Sequence, residues 1–210
     1  MHKSFLTIAP ALTLVLAACG GQNSANTATD VQLADNGAVA GTEPMDNAMA
    51  ATNTQVALNG NGATAAVASA DGKPMGTATV VAENGGLSVR FTGMGLPPGV
   101  HGVHIHTTGK CEGPKFESAG GHWNPTNKQH GSENPQGMHA GDLPNLTVDG
   151  TGSGTVSFAV AGAQMTGPTG LLDADGAAFM VHASADDNKT DPSGDSGGRI
   201  ACGVFAAGAN

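Results

Sequence analysis

From Gln55 onward the chain consists of short apolar runs separated by pairs of turn-forming residues. Runs rich in Val, Thr and Ala alternate with Asn-Gly, Asp-Gly and Gly-Gly pairs, and 33 of the 210 residues are glycine. Such pairs close tight turns between strands. No stretch of ten or more residues has convincing helical periodicity. The sequence therefore predicts a domain built from short β-strands.

Seven strands are predicted, and Thr54–Leu58 is a candidate for an eighth. The seven are Ala63–Ser69, Gly76–Glu83, Leu87–Thr92, Gly102–Thr107, Gly154–Val160, Ala177–Ala183 and Cys202–Ala206. Two long connections, Gly109–Pro144 and Ser184–Arg199, are polar and rich in Gly and Pro. Loops of this length inside a compact domain are usually functional or disordered. The first holds three His and one Cys, which favours a functional loop.

The N-terminal residues 1–18 have the features of an export signal. A short basic start precedes an apolar run, Phe5–Leu16, that is too short to span a bilayer. The following Leu16-Ala17-Ala18-Cys19 resembles the lipobox of bacterial lipoproteins, which implies cleavage before Cys19 and its acylation. The alternative is ordinary signal cleavage nearby, with Cys19 left as a free thiol. The lipoprotein interpretation places the protein in the periplasm or cell envelope, anchored to a membrane by its lipid.

Residues 19–53 are predicted to be a flexible tether, because they are rich in Ala, Asn, Thr and Gly and show no persistent period. Residues 54–210 are predicted to form the folded domain, and they include seven basic and thirteen acidic residues. The whole chain has a formal charge of −9. A nucleic-acid partner is not expected, because phosphate binding needs a basic face.

Two cysteines remain once Cys19 is set aside. An even pair in an exported protein indicates one disulfide, here between Cys111 and Cys202. The alternative is a pair of buried free thiols, which is less common outside the cytosol.

His104 and His106 lie in a predicted strand. Side chains alternate between the faces of a strand, so both imidazoles project from one face, about 6.6 Å apart. Alone, a His-x-His pair is also typical of a solvated strand face. His182 lies in a late predicted strand and can complete a set of three with this pair. Sites rich in imidazole suit copper.

The first long loop carries three further histidines and a carboxylate at regular spacing. His122, His130 and His139 follow one another at intervals of eight and nine, and Asp142 comes three residues later. A loop rich in Gly and Pro can fold all four around one ion. Three imidazoles and one carboxylate form the closed tetrahedral set of a structural zinc site. A surface position remains the alternative for any single histidine.

Taken together, the motifs resemble those of the copper–zinc superoxide dismutases, in order from about Thr54 to Phe205. They are His101-Gly-Val-His104-Ile-His106, Gly121-His122-Trp123-Asn124-Pro125, His130-Gly131, His139-Ala-Gly-Asp142-Leu, Val181-His182 and Gly198-Arg199-Ile-Ala-Cys202-Gly-Val. The resemblance implies an all-β fold, an eight-stranded antiparallel Greek-key β-barrel with two long functional loops.

The resemblance also implies a role for each matched residue. The copper ligands would be His104, His106, His122 and His182, and the zinc ligands His122, His130, His139 and Asp142. His122 would bridge the two metals, and Asp186 would link ligands of both, with neighbouring Asp187 as the alternative. His101 would hold a loop rather than a metal. Cys111 and Cys202 match the disulfide of the family, which would tie the long loop to the last strand beside Arg199.

The implied activity is the conversion of superoxide to dioxygen and hydrogen peroxide by copper redox cycling, which would protect the cell envelope. His122 would deliver a proton and Arg199 would attract the anion. Lysines in the two long loops either add a steering field or are simply solvated: Lys110, Lys115, Lys128 and Lys189. The alternatives are a non-catalytic copper- and zinc-binding envelope protein and a purely structural envelope domain. The sequence indicates no dimer interface, although the family forms homodimers of more than one kind.

Overall fold

Residues 61–208 are described by a computed structural model, in which ten strands form two antiparallel sheets. The strands are β1 (Gly62–Ser69), β2 (Pro74–Glu83), β3 (Gly86–Gly93), β4 (Gly99–His101), β5 (Val103–His106), β6 (Leu146–Val148), β7 (Gly154–Ala161), β8 (Ala178–His182), β9 (Arg199–Val204) and β10 (Ala206–Ala207). The export signal, the tether with Cys19 and the candidate strand Thr54–Leu58 lie outside the described residues and stay predictions.

The larger sheet has the strand order β5-β8-β9-β1-β2-β3-β7, and β10 also pairs with β1. The smaller sheet pairs β4 with β6. Only Gly102 separates β4 from β5, and a tight turn, closed by the Asp149 N–H donating to the Ser153 carbonyl at 2.9 Å, joins β6 to β7. With β4 and β5 counted as one interrupted strand and the two-residue β10 left out, eight main strands are present. The connections from β3 to β4 and from β7 to β8 skip neighbours, as in a Greek key. The predicted fold class is confirmed.

Seven of the ten strands coincide with predicted ones, and the differences lie where the strands are shortest. The pair formed by β4 and β6 was not predicted, because three residues are too few to show an alternating pattern. The predicted strand Gly102–Thr107 is shorter in the structure, which has β5 at Val103–His106. The last predicted strand begins too late, because β9 already starts at Arg199.

The core lies between the inner faces of the strands. Leu87, Val89 and Phe91 alternate along β3 and are all buried, as expected for a strand with one face on the core. Phe91 stacks on Phe179 of β8 with ring centroids 4.6 Å apart. Burial of a side chain of this size contributes about 1.5–3 kcal/mol. These contacts pack β8 against β3, which lies near the other end of the same sheet.

Strand β8 is buried on both faces. Its inner face carries Phe179 and Val181, which pack in the core. Its outer face is covered by the long loop between β5 and β6, whose Phe116 and Ala119 pack on Met180. This burial explains why β8 is a continuous apolar run up to His182.

The disulfide between Cys111 and Cys202 is confirmed, and it fastens this long loop to β9. The Cα atoms of the two residues are 5.7 Å apart across a sequence separation of 91 residues. Within residues 61–208 the only helical element is a single 3₁₀ turn, Glu117–Ala119. No helix in this part of the chain is long and apolar enough to cross a membrane.

Candidate metal centre

The edge of β5 that does not pair with β8 contacts the long loop, which brings its histidines to the sheet. One edge of β5 pairs with β8, and the other forms backbone hydrogen bonds with two segments of the loop. Trp123 N–H donates to the Ile105 carbonyl at 2.8 Å, and Ile105 N–H donates to the Gly141 carbonyl at 2.9 Å. Isolated bridges therefore place His106 opposite His122 and His104 opposite Asp142.

Gly141 makes this close approach possible. A Cβ atom at this position would lie 2.2 Å from the carbonyl oxygen of Ile105 and 3.0 Å from the amide nitrogen of Trp123. Both are backbone atoms of a paired segment and cannot move aside cheaply. A larger residue would push Asp142 away from β5.

Four histidines form the first cluster on the outer face of β5 and β8. In each of them one buried ring nitrogen has no hydrogen-bond partner: His104 Nδ1, His106 Nε2, His122 Nε2 and His182 Nε2. One ring nitrogen of each residue lies within 4.8 Å of the others. An unsatisfied buried polar atom costs about 1–3 kcal/mol, so four together call for a shared partner. Imidazole nitrogens arranged in this way fit a copper ion.

The second cluster gathers three histidines around one carboxylate. The Nδ1 atoms of His122, His130 and His139 lie 2.8, 3.0 and 3.0 Å from Asp142 Oδ1. The other carboxylate oxygen accepts the backbone N–H groups of Gly131 and His139, both at 2.9 Å, which fixes its orientation. Three imidazoles and one carboxylate that converge in this way fit a tetrahedral zinc ion.

His122 is the one residue shared by the two clusters. Its Nδ1 faces Asp142, whereas its Nε2 faces the all-histidine cluster. A second link is the buried carboxylate of Asp186. Its Oδ2 lies 2.6 Å from His104 Nε2, and its Oδ1 lies 3.0 Å from His130 Nε2. The Asp186 side chain therefore holds the Nε2 atom of one histidine in each cluster.

Burial keeps the histidines of the first cluster neutral. It lowers the pKa of His122 to about 4 and that of His182 to about 3, and it also lowers the pKa values of His104 and His106. Hydrogen bonds with Asp186 and Asp142 raise the pKa values of His104 and His122 respectively, but they do not outweigh burial. A neutral imidazole is the form that binds a metal ion, so protons compete little for this cluster near pH 7.

The second cluster differs from the first because its carboxylate favours a positive charge close by. Burial alone would lower the pKa of His130, but hydrogen bonds with Asp142 and Asp186 outweigh it and raise the pKa to about 9. Burial opposes the ionised form of Asp142, yet hydrogen bonds with the three histidines hold its pKa well below the usual range. A zinc ion at this position would displace the proton of His130 and keep the favourable charge balance.

A cleft of about 680 Å³ leads to the first cluster. His106, His122 and His182 line it together with Arg199. The Arg199 guanidinium donates to the carbonyls of Phe116 and Gly120, both at 2.6 Å. It is thereby fixed as a cation beside the histidines.

Three groups of residues considered in the sequence lie outside the two clusters. Both ring nitrogens of His101 face backbone carbonyls, those of His182 at 2.8 Å and Pro97 at 2.9 Å, so His101 holds a loop as predicted. Asp187 is exposed and bonds with Thr190, so the carboxylate that links the clusters is Asp186. Of the four candidate steering lysines, only Lys115 lines the cleft.

Sequence reasoning missed several groups that support the site. The Gly120 carbonyl accepts from Arg199 and lies 2.9 Å from His106 Nδ1. Asp191 accepts the His130 backbone N–H at 2.6 Å, and Asn145 bonds with the backbone of Asp186. No spacing rule could have found them, because each acts on or through the backbone of a residue distant in sequence.

The family profile described as copper/zinc superoxide dismutase matches residues 74–205, which is more than half of the chain. The chain belongs to the copper/zinc superoxide dismutase family. The enzyme class of the family is superoxide dismutase and its cofactors are copper and zinc, and the two side-chain clusters fit both ions.

Several members of the family are similar over the β domain. The superoxide dismutase-like protein YojM of Bacillus subtilis is 46% identical over 123 residues, covering 57% of this chain and 63% of that protein. The copper–zinc superoxide dismutase 2 of Aquifex aeolicus is 42% identical over 125 residues, covering 57% of this chain and 72% of that protein. This chain thus spans just under two thirds of the length of the first relative.

The fold is similar to solved structures as well. The crystal structure of a superoxide dismutase-like protein from Bacillus subtilis superposes with a TM-score of 0.64 at 41% identity, covering 68% of this chain and 97% of that one. The crystal structure of the clock protein EA4 gives a TM-score of 0.59 at 32% identity, covering 70% of this chain and 94% of that one.

Proposed function

We propose that this protein converts two superoxide ions and two protons to dioxygen and hydrogen peroxide, with His122 shared between a copper and a zinc ion. The observation that carries the proposal is the position of this ring, with Nε2 facing the all-histidine cluster and Nδ1 facing Asp142. Copper would be held by His104, His106, His122 and His182, and zinc by His122, His130, His139 and Asp142.

When bound, copper supplies one-electron redox chemistry, whereas zinc has none and supplies a fixed positive charge. The protein supplies the proton and the orientation. His122 lines the cleft, and its Nε2, which faces the all-histidine cluster, can hold a proton for the developing peroxide. A ring N–H positioned beside a developing anion acts as a general acid. Asp142 lies 2.8 Å from His122 Nδ1 and orients the ring from that side.

Arg199 supplies the attraction for the substrate anion. The described domain carries seven basic and thirteen acidic residues, so its net charge repels superoxide. A local positive field at the cleft must overcome this repulsion. Arg199 is half-buried and fixed by two carbonyls, whereas Lys115 is exposed and lies 3.9 Å from Glu117. We assign the attraction mainly to Arg199, because the exposed charge of Lys115 is screened by solvent.

The proposed location is the cell envelope, where the protein would be anchored by lipid at Cys19 and would remove superoxide outside the cytosol. The lipobox-like segment that ends at Cys19 supports the anchor. The disulfide supports export, because such bonds persist in oxidising compartments. Replacing Cys19 with serine should release the protein from the membrane fraction. Retention of that variant on the membrane would rule out this anchor.

The activity is tested by following superoxide decay with purified protein loaded with measured amounts of copper and zinc. Loss of the proton donor in His122→Ala should slow decay by a factor of about 100 or more at equal copper content. Loss of the cation in Arg199→Ala should slow decay by about 10-fold or more at low ionic strength. Arg90→Ala is the matched control, because Arg90 is an exposed residue of β3 that bonds with Ser157.

The alternative function is copper and zinc binding without turnover. A storage protein would bind both ions but would not need a fixed arginine beside its histidines. Decay at the uncatalysed rate with fully loaded wild-type protein would favour this alternative and end the dismutase proposal.

A further inference from the structure

Asp186 must be placed accurately, because one carboxylate reaches a histidine of each cluster. The distances of 2.6 Å to His104 Nε2 and 3.0 Å to His130 Nε2 leave little freedom for the side chain. Yet Asp186 lies in the long connection between β8 and β9, outside any strand. Something on the barrel must therefore hold its backbone.

The side chain of Asn145 holds the Asp186 backbone through two reciprocal hydrogen bonds. Asp186 N–H donates to Asn145 Oδ1 at 2.8 Å, and Asn145 Nδ2 donates to the Asp186 carbonyl at 2.8 Å. Only one orientation of the amide satisfies both bonds, because the backbone offers one donor and one acceptor. The pair therefore fixes both the position and the direction of this peptide segment.

Asn145 is itself tied to the barrel. It directly precedes β6, whose Leu146 is fully buried and pairs with His101 of β4. Asn188 also donates its N–H to Asp186 Oδ1, at 2.6 Å, but it belongs to the same loop and would move with Asp186. Asn145 thus connects the carboxylate to a rigid strand, which a contact within the loop cannot do.

We infer that Asn145 is a positioning residue that sets Asp186 at the distance where it orients His104 and His130 together. The inference rests on the proposed function for the identity of the two metals. Groups that orient metal-binding histidines from outside typically contribute 10- to 100-fold to metal affinity. Asn145 acts one residue further out, so we expect a loss of about 10-fold, and at both metal sites.

Two substitutions separate the parts of this contact. Asn145→Asp keeps the acceptor for the Asp186 N–H but turns a carboxylate oxygen towards the Asp186 carbonyl, and Asn145→Ala removes both bonds. Asn124→Asp is the matched control, because Asn124 makes the same reciprocal pair with Lys128, at 2.8 and 2.9 Å, at an exposed turn. It tests the same chemical change away from Asp186.

The measurements are zinc and copper affinity by competition with chelators, the electron paramagnetic resonance spectrum of bound Cu(II), and the melting temperature of the metal-free protein. We expect both Asn145 variants to bind each metal about 10-fold more weakly and to alter the Cu(II) spectrum. Asn124→Asp should match the wild type. The melting temperature separates weaker binding from a general loss of stability.

Wild-type affinity and spectrum in either folded Asn145 variant would overturn the inference. So would losses no larger than those of Asn124→Asp, or losses explained entirely by a lower melting temperature of the metal-free protein. Failure of the wild-type protein to bind two metals would instead contradict the proposed function. The two failures are therefore distinguishable without an activity assay.

Discussion

Replacing Cys111 and Cys202 with serine is expected to lower the free energy of unfolding by about 4.6 kcal/mol. The disulfide closes a loop with a sequence separation of 91 residues. In the chain-entropy relation, a loop of this length removes roughly 15 cal/mol/K from the unfolded chain, which at 25 °C gives the figure above. It corresponds to a change of roughly 2,000-fold in the ratio of folded to unfolded protein.

The assay is urea denaturation of the metal-free protein with a chelator present, because bound metal would add its own stabilisation. Trp123 is the only tryptophan of the chain and is buried, so its emission reports unfolding next to His122. With a urea slope of about 2 kcal/mol/M, the midpoint should fall by roughly 2 M. Both proteins carry Cys19→Ser, so that no third thiol interferes.

The same variant tests whether the disulfide also holds the arginine. Cys111 lies in the loop whose Phe116 and Gly120 carbonyls fix the Arg199 guanidinium. With that loop freed, superoxide decay should slow even at equal copper content. An unchanged denaturation midpoint would refute the entropy argument, and an unchanged decay rate would refute the link to Arg199.

Two further predictions concern pH and close packing. The pKa values of His122 and His182 are lowered on folding from an ordinary 6.5 to about 4 and about 3, so the unfolded chain binds more protons below pH 6.5. The metal-free protein should therefore lose stability as the pH falls from about 6.5 towards 3, measured by denaturation at each pH, and a flat profile would contradict the burial of these rings. Gly194→Ala should weaken zinc binding, measured by chelator competition, because its Cβ would lie against Asp186 Oδ1. Gly198→Ala has no atom within 4 Å of the new Cβ and should bind zinc like the wild type, and equal losses in both variants would contradict the packing argument.

The strands long enough to show a pattern were predictable from the sequence. Strands β1, β2 and β3 have alternating inward residues and are joined by Asp-Gly and Asn-Gly turns. The pair of β4 and β6 was not predictable, because three residues carry no period and each strand forms only against the other. His101, at the end of β4, shows the effect: its placement follows from bonds with Pro97 and His182 rather than from strand alternation.

The sequence was enough to identify which side chains are available for the chemistry. Seven histidines of the domain, Asp142 and the cysteine pair have spacings that match one family, and side chains of these types suit the copper and zinc that the family implies. These inferences need only the identity and order of the residues. They required no knowledge of where the long loop lies.

The arrangement and support of those side chains could be read only from the folded structure. The choice between Asp186 and Asp187, the pairing of the loop with the free edge of β5, and the hold of Asn145 on Asp186 all depend on distances between segments far apart in the chain. Most of these contacts are made by backbone amides and carbonyls, which almost every residue carries. The types of residue in the sequence therefore do not indicate where such contacts form. Their positions follow from the packing of the barrel, which fixes where each segment of the loop can lie.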